Sequence, residues 1–144
     1  MNKQNVFVDS DVVIASLLSS SGASYLLLHT TVAKSATFFI SDFSMLELQE
    51  VVKRHQIEPK QLVSLVKKRL TIQKLQKPEM VLKKYSDYVL DLSDAHIIAG
   101  AMQTKSRFII SFNQKDYKAD KLKVDFNTIL TTPGNFLQYL RSQG

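Results

Sequence analysis

The chain contains no cysteine, and its 144 residues include only four glycines and three prolines. Without cysteine there is no disulfide framework, no thiolate metal site and no cysteine nucleophile. A reducing compartment is compatible with that absence. Long hydrophobic runs are missing as well. Stretches such as Val12-Val13-Ile14-Ala15 and Tyr25-Leu26-Leu27-Leu28 fall far short of the roughly 20 residues that span a bilayer. One lysine precedes Asp9 and Asp11 at the N-terminus, which is not the pattern of a secretory signal. There is no internal repeat and no low-complexity segment. With 44% hydrophobic and 22% charged residues, the composition is that of a globular protein and excludes a disordered or collagen-like chain. The expectation is a single domain over residues 1–144, cytoplasmic and without a membrane segment.

Charge is present but unevenly placed. The net charge is −3 over residues 1–52, +8 over 53–84 and +1 over 85–144. A basic block beside scattered acids suggests a polyanionic partner and an acidic, metal-binding centre. Lys53, Arg54, Lys67, Lys68 and Arg69 are the candidate phosphate contacts. Such residues also commonly form the wet face of a helix.

Short β-rich runs alternate with longer helical ones, which argues for βαβ units and a parallel sheet. Asn5-Val6-Phe7-Val8 reads as a buried strand ending at Asp9, followed by a helix to Leu18. A second helix is expected over 23–34 and a second strand over 36–40. Ser41 or Asp42 is placed to cap a helix reaching about His55. Another helix starts near Pro59. Residues 70–75 fit either a strand or a continued helix. Pro78 opens a short helix through Lys84. Ser93 or Asp94 begins a helix containing Ile97, Ile98 and Met102. Residues 107–111 read as a strand, 124–130 as a last strand, and 133–140 as a C-terminal helix.

In an open parallel sheet, ligands bind beyond the carboxyl ends of the strands. That rule turns the strand assignment into a site. Asp9 ends the first strand, Ser111 and Asn113 follow a later one, Asp94 starts the helix feeding it, and Glu47 lies in the helix after the second strand. Clustered carboxylates repel and raise one another's pKa. A hard divalent cation, Mg²⁺ or Mn²⁺, relieves this and meets phosphate oxygens. It also makes water a better nucleophile toward a phosphodiester. Each acid has a plainer reading: Asp9 and Asp94 as helix caps, Glu47 as a solvated residue with Glu50 as its competitor, Asp116 and Asn113 as turn formers. Ser10 and Ser111 are better placed as supporting donors than as nucleophiles. His96 reads as structural or as a substrate contact.

Residues 6–14, 40–51, 94–102 and 108–117 together resemble the PIN-domain ribonucleases, and among them the VapC-like toxins. Val6-Phe7-Val8-Asp9-Ser10-Asp11-Val12-Val13-Ile14 resembles the family's opening strand and helix. Ile40-Ser41 with Leu46-Glu47-Leu48 and Val51 resembles the second motif, and Asp94-Ala95-His96-Ile97-Ile98-Ala99-Gly100-Ala101-Met102 the third. Phe108-Ile109-Ile110-Ser111-Phe112-Asn113-Gln114-Lys115-Asp116-Tyr117 resembles the fourth. Thr132-Pro133-Gly134-Asn135-Phe136-Leu137 is similar to the ending of many bacterial members. The resemblance implies a three-layer α/β/α sandwich around a mainly parallel sheet. It implies a Mg²⁺- or Mn²⁺-dependent endoribonuclease leaving a 5′-phosphate and a 3′-hydroxyl, with an RNA substrate. It further implies a toxin role opposite a cognate antitoxin, and a homodimer. It assigns catalysis and metal binding to Asp9, Glu47, Asp94 and Asp116, supported by Ser10, Asp11, Ser111 and Asn113. Asp11 stands where the family usually has Asn. Asn113 occupies the fourth acid position, which leaves Asp116 to supply the missing carboxylate. Two other functions compete. A receiver-like phosphorylation switch lacks its Lys at the end of the late strand. A degenerate PIN-fold module would bind RNA or a partner without cutting.

Overall fold

The computed structural model describes residues 3–143. In chain order the elements are β1 (Gln4–Val8), α1 (Ser10–Leu18), α2 (Ala23–His29), β2 (Ala36–Ser41), α3 (Asp42–Arg54), α4 (Pro59–Arg69), β3 (Leu70–Gln73), α5 (Pro78–Lys84), α6 (Ala95–Gln103), β4 (Phe108–Ile110), α7 (Ala119–Phe126), β5 (Ile129–Thr131) and α8 (Pro133–Gln143). The strands form one parallel sheet in the order β3-β2-β1-β4-β5. Val6 pairs with Phe38 on one side of β1, and Phe7 with Ile109 on the other.

Strand alternation divides the core in two. Val6 and Val8 of β1 face a cluster with Val12, Val13, Leu27, Leu28, Leu48 and Phe136, contributed by α1, α2, α3 and α8. Phe7 faces the opposite cluster, with Ile97, Ile98, Ala101 and Leu122 from α6 and α7. The result is the expected three-layer α/β/α sandwich. Gly100 lets α6 approach β1 closely. A Cβ there would lie 2.4 Å from the Phe7 ring, well inside van der Waals contact.

Several boundaries differ from the sequence expectation. The second helix stops at His29 rather than 34, because the Thr30 hydroxyl turns back to the Leu26 carbonyl and the chain enters a turn. Residues 70–73 resolve as a strand, paired in register with β2. The expected strand over 124–130 begins as helix: α7 runs to Phe126, and β5 starts only at Ile129. Asn127 makes the change of direction by adopting φ 54°, a left-handed conformation that Asn tolerates better than most residues. Ser41, not Asp42, caps α3 by accepting from the Ser44 N–H at 3.0 Å. Asp42 instead accepts from the Leu75 N–H at 3.1 Å and pins the segment after β3. Among the described residues no single helix is long and apolar enough to cross a membrane.

Candidate active site

Every strand of a parallel sheet points its carboxyl end the same way, so the residues that follow them meet at one edge. Asp9 follows β1 directly, and its N–H donates to the Ile110 carbonyl at 2.9 Å. Ser111 follows β4 and is fully buried. Asp9 caps α1, accepting from the Ser10 N–H at 2.7 Å through Oδ1. Its Oδ2 accepts from the Ser111 hydroxyl at 2.8 Å and the Tyr117 hydroxyl at 2.7 Å. Capping and site geometry therefore coincide in one carboxylate. Three donors from three segments fix its orientation.

Asp11 lies one step further, with Oδ2 accepting from the Phe112 N–H at 2.9 Å. Its other oxygen, Oδ1, is buried without a hydrogen-bond partner, as is the Ser10 hydroxyl. Burial, then the charge of Asp9, pushes the Asp11 carboxyl up to about 6, against the pull of the Phe112 and Val12 N–H groups and the Ser111 hydroxyl. Burial likewise pushes Asp94 up to about 6, reinforced by Asp9, Asp116 and Asp91 and opposed by His96. Asp94 occupies the cap position of α6, yet its side chain makes no capping hydrogen bond. The plainer reading of Asp94 as a cap does not describe what this carboxylate does.

Asp116 reaches the cluster through the backbone. Leu90 N–H donates to the Asp116 carbonyl, Lys118 N–H donates to the Tyr88 carbonyl, and Val89 bridges Tyr117. These ties hold residues 116 and 117 against the segment that leads to Asp94. Tyr117 is buried. Desolvation and the neighbouring Asp9 carboxylate hold its hydroxyl protonated far above the ordinary range, so it stays a donor. In the sequence Tyr117 is only the residue that closes the fourth segment, and its bond to Asp9 requires the fold. Asn113 engages through its backbone N–H, which donates to the Ser111 hydroxyl at 3.0 Å. Phe112 has a half-exposed ring beside this cluster.

Glu47 stands apart. Its exposed carboxylate is bound to the buried His96 imidazole, Nε2 to Oε1 at 3.0 Å. His96 thus acts as the anchor of Glu47. Glu50, the competitor, is exposed on the same helix.

The five basic candidates do not join this edge. Lys53 and Arg54 end α3, which starts at the carboxyl end of β2 and runs away from it. Lys67, Lys68 and Arg69 end α4 and lead into the amino end of β3.

The donor set suits a hard divalent cation. Its ligands are all oxygen, Asp11 Oδ1 is orphaned, and Asp9, Asp11, Asp94 and Asp116 sit together with no Lys or Arg paired to any of them among the described residues. Among the described residues no three His, Asp or Glu side chains are disposed to hold one ion by themselves. Mg²⁺ is commonly held by one or two carboxylates, with waters and substrate phosphates completing its shell.

A family model described as PIN domain matches residues 5–115. The chain belongs to the PIN domain family. No curated protein matches this PIN domain. Solved structures do. A chain of a toxin–antitoxin complex from Klebsiella pneumoniae aligns with a TM-score of 0.64 at 22% identity, covering 89% of this chain and 97% of that one. A chain of VapBC2 from Rickettsia felis, bound to a DNA fragment from its promoter, aligns at 0.61 and 18% identity, covering 88% and 97%. VapC20 from Mycobacterium tuberculosis, a sarcin–ricin loop cleaving toxin, aligns at 0.53 and 14% identity, covering 84% and 95%. At these identities the alignments establish the shared fold of this PIN domain.

Proposed function

We propose that this PIN domain is a divalent-metal-dependent endoribonuclease acting in the cytoplasm, and the toxin of a toxin–antitoxin pair. The observation that carries the nuclease reading is the group of four aspartates at the carboxyl edge, unpaired with any basic side chain among the described residues. The toxin reading rests on the structural neighbours, two of which come from toxin–antitoxin complexes. By the same likeness we assign a cognate antitoxin as its partner; the homodimer is proposed from the PIN-family resemblance alone.

Asp9 and Asp94 are the proposed metal-holding carboxylates, with Asp116 completing the set and Glu47 brought in from its His96 anchor. Mg²⁺ or Mn²⁺ held there supplies charge neutralisation at the scissile phosphate and lowers the pKa of attacking water. The chain's own groups prepare the site. The Ser10 N–H and the Ser111 and Tyr117 hydroxyls fix Asp9. Burial and the Asp9 charge raise Asp11 and Asp94 to about 6, a cost of ionisation that a bound cation would relieve. Phe112 offers a ring on which an RNA base can stack.

A second reading is a non-cleaving module of the same fold. The Glu47 carboxylate, committed to His96, favours it. The discriminating experiment is cleavage of an end-labelled mixed RNA pool in Mn²⁺, in Mg²⁺ and in EDTA, beside Asp94→Asn. Metal-dependent cutting that disappears in the variant supports the nuclease. RNA retention without cutting in either metal supports the module. Equal cutting by both proteins overturns the Asp94 assignment.

A further inference from the structure

The strongest feature outside the carboxylate edge is a basic cavity at the opposite side of the molecule. It lies between α1, α2 and α4 and encloses about 620 Å³. Lys60, Lys68 and Arg69 line it, with Tyr25, His29 and Ser64 among its polar walls. His29 Nε2 is hydrogen-bonded to the Ser16 hydroxyl at 3.1 Å and stacked on Tyr25, so this wall is ordered by its own contacts. Burial and the nearby Arg69 charge push the His29 pKa down, which keeps the imidazole neutral among the cations.

A second recess of about 280 Å³ shares Lys68 and Arg69 with the first and adds Lys3, Lys34 and Lys67. The two recesses adjoin through Lys68 and Arg69 and are lined together by a tract of six cations, and no carboxylate lines either of them. Among the described residues, no Asp or Glu forms an ion pair with any of the six. Uncompensated cations at this density repel one another, and the arrangement is relieved by an anion that spans several of them.

The position of the tract is as informative as its charge. Lys3 precedes β1, Lys34 lies just before β2, and Arg69 precedes β3. All sit at the amino ends of parallel strands, whereas Asp9 follows the carboxyl end of β1 in the same sheet. A five-residue strand at about 3.3 Å per residue separates the two edges by about 17 Å. An anion bound in the tract is therefore held without being presented for cutting.

We propose that this tract is a second RNA-binding site, gripping the phosphates of a strand away from the catalytic edge. Five of its six cations are lysines, point charges suited to sequence-independent phosphate contact. Its extent over two recesses fits several consecutive phosphates better than one. The identity of the strand as RNA rests on the nuclease reading above, whereas the location and the phosphate chemistry rest on the cavity itself.

The test is fluorescence anisotropy of labelled single-stranded RNA on the full chain in EDTA, over a series of salt concentrations. Lys68→Gln with Arg69→Gln is compared with Lys121→Gln with Lys123→Gln, an exposed pair on α7 with the same change in net charge. Thermal melts verify that each variant is folded. The expected result is a loss of about tenfold or more in affinity for the first pair, with a salt slope lower by about 1.4 for two lost contacts to a single strand. The control pair changes little. Equal weakening by both pairs overturns the proposal, since it reports net charge alone. So does unchanged binding by the first pair. Displacement of RNA by polyglutamate at equal charge concentration assigns the tract to an acidic protein partner instead. Displacement by pyrophosphate as effective as RNA per phosphate assigns it to a small anion. Loss of binding in the first pair, in a protein that never cuts RNA, leaves this site standing and removes the nuclease. Metal-dependent cutting with unchanged binding in the first pair does the reverse.

Discussion

Asp11→Asn makes the metal-free protein more stable at neutral pH, by an amount that follows from the site. Asp11 is pushed from 3.8 up to about 6 by burial and by Asp9. Each pKa unit is worth about 1.4 kcal/mol, so holding this carboxylate ionised costs at most about 3 kcal/mol. The group is partly solvated, and screening reduces that ceiling to roughly 1–2 kcal/mol. The amide removes the charge while keeping an acceptor for the Phe112 N–H, now 2.9 Å from Oδ2. For a domain of this size the gain corresponds to a melting temperature about 3–8 °C higher. The pH dependence has a definite sign. The folded-state pKa is the higher one, so the folded protein holds a proton that the unfolded chain has lost. The stability associated with that proton is fully present below 3.8 and is lost as pH rises through about 6. The advantage of the variant is therefore full at pH 7.5 and nearly gone by pH 4. Thermal melts in EDTA at both values measure it. Excess Mg²⁺ narrows the gap at pH 7.5 by neutralising the wild-type carboxylate. A variant no more stable than wild type at pH 7.5, or an advantage equally large at pH 4, refutes the reasoning.

Tyr117→Phe removes one of the three donors to Asp9 and, by the ordinary worth of a bond to a charged group, costs about 1–2 kcal/mol in chemical denaturation; cleavage per folded molecule falls as well, and an unchanged rate would separate Tyr117 from the site. Gly100→Ala meets the Phe7 ring and destabilises by about 1–3 kcal/mol, despite a helix-propensity gain of up to about 1 kcal/mol. A stabilised variant in the same denaturation assay would mean that α6 does not pack on β1 as described. The chain has no tryptophan, so Phe112→Trp gives a single fluorophore at the rim of the aspartates. Single-stranded RNA in EDTA quenches it through base stacking, whereas an abasic strand does not. Equal quenching by both strands removes the stacking role.

Much of the site was legible because it depends on strand ends rather than on packing. Once Val6-Phe7-Val8 and Phe108-Ile109-Ile110 are parallel strands, Asp9 and Ser111 must lie at the same edge. What stayed hidden depended on contacts between residues far apart in sequence. Nothing near Glu47 announces that His96 will bind its carboxylate. Nothing near Tyr117 specifies a hydroxyl aimed at an aspartate more than a hundred residues earlier. The helix Ala119–Phe126 was missed because only Leu122 is buried in it, and Val124 is 82% exposed. Its apolar residues do not repeat on one face clearly enough to compete with a strand reading. The basic block was visible as charge, but charge counts carry no direction. Only the passage of α4 into the amino end of β3 places Lys67, Lys68 and Arg69 on the side away from the aspartates.

Uptake of a divalent ion by the aspartate edge is the property on which the proposed nuclease activity depends most directly. Mn²⁺ titration of the metal-free chain, followed by paramagnetic resonance of the free ion, measures this in wild type, Asp9→Asn and Asp94→Asn. Saturable uptake by wild type that is lost in both variants is the predicted result. No uptake by wild type, or equal uptake by all three folded proteins, would contradict the assignment of this edge as the metal centre.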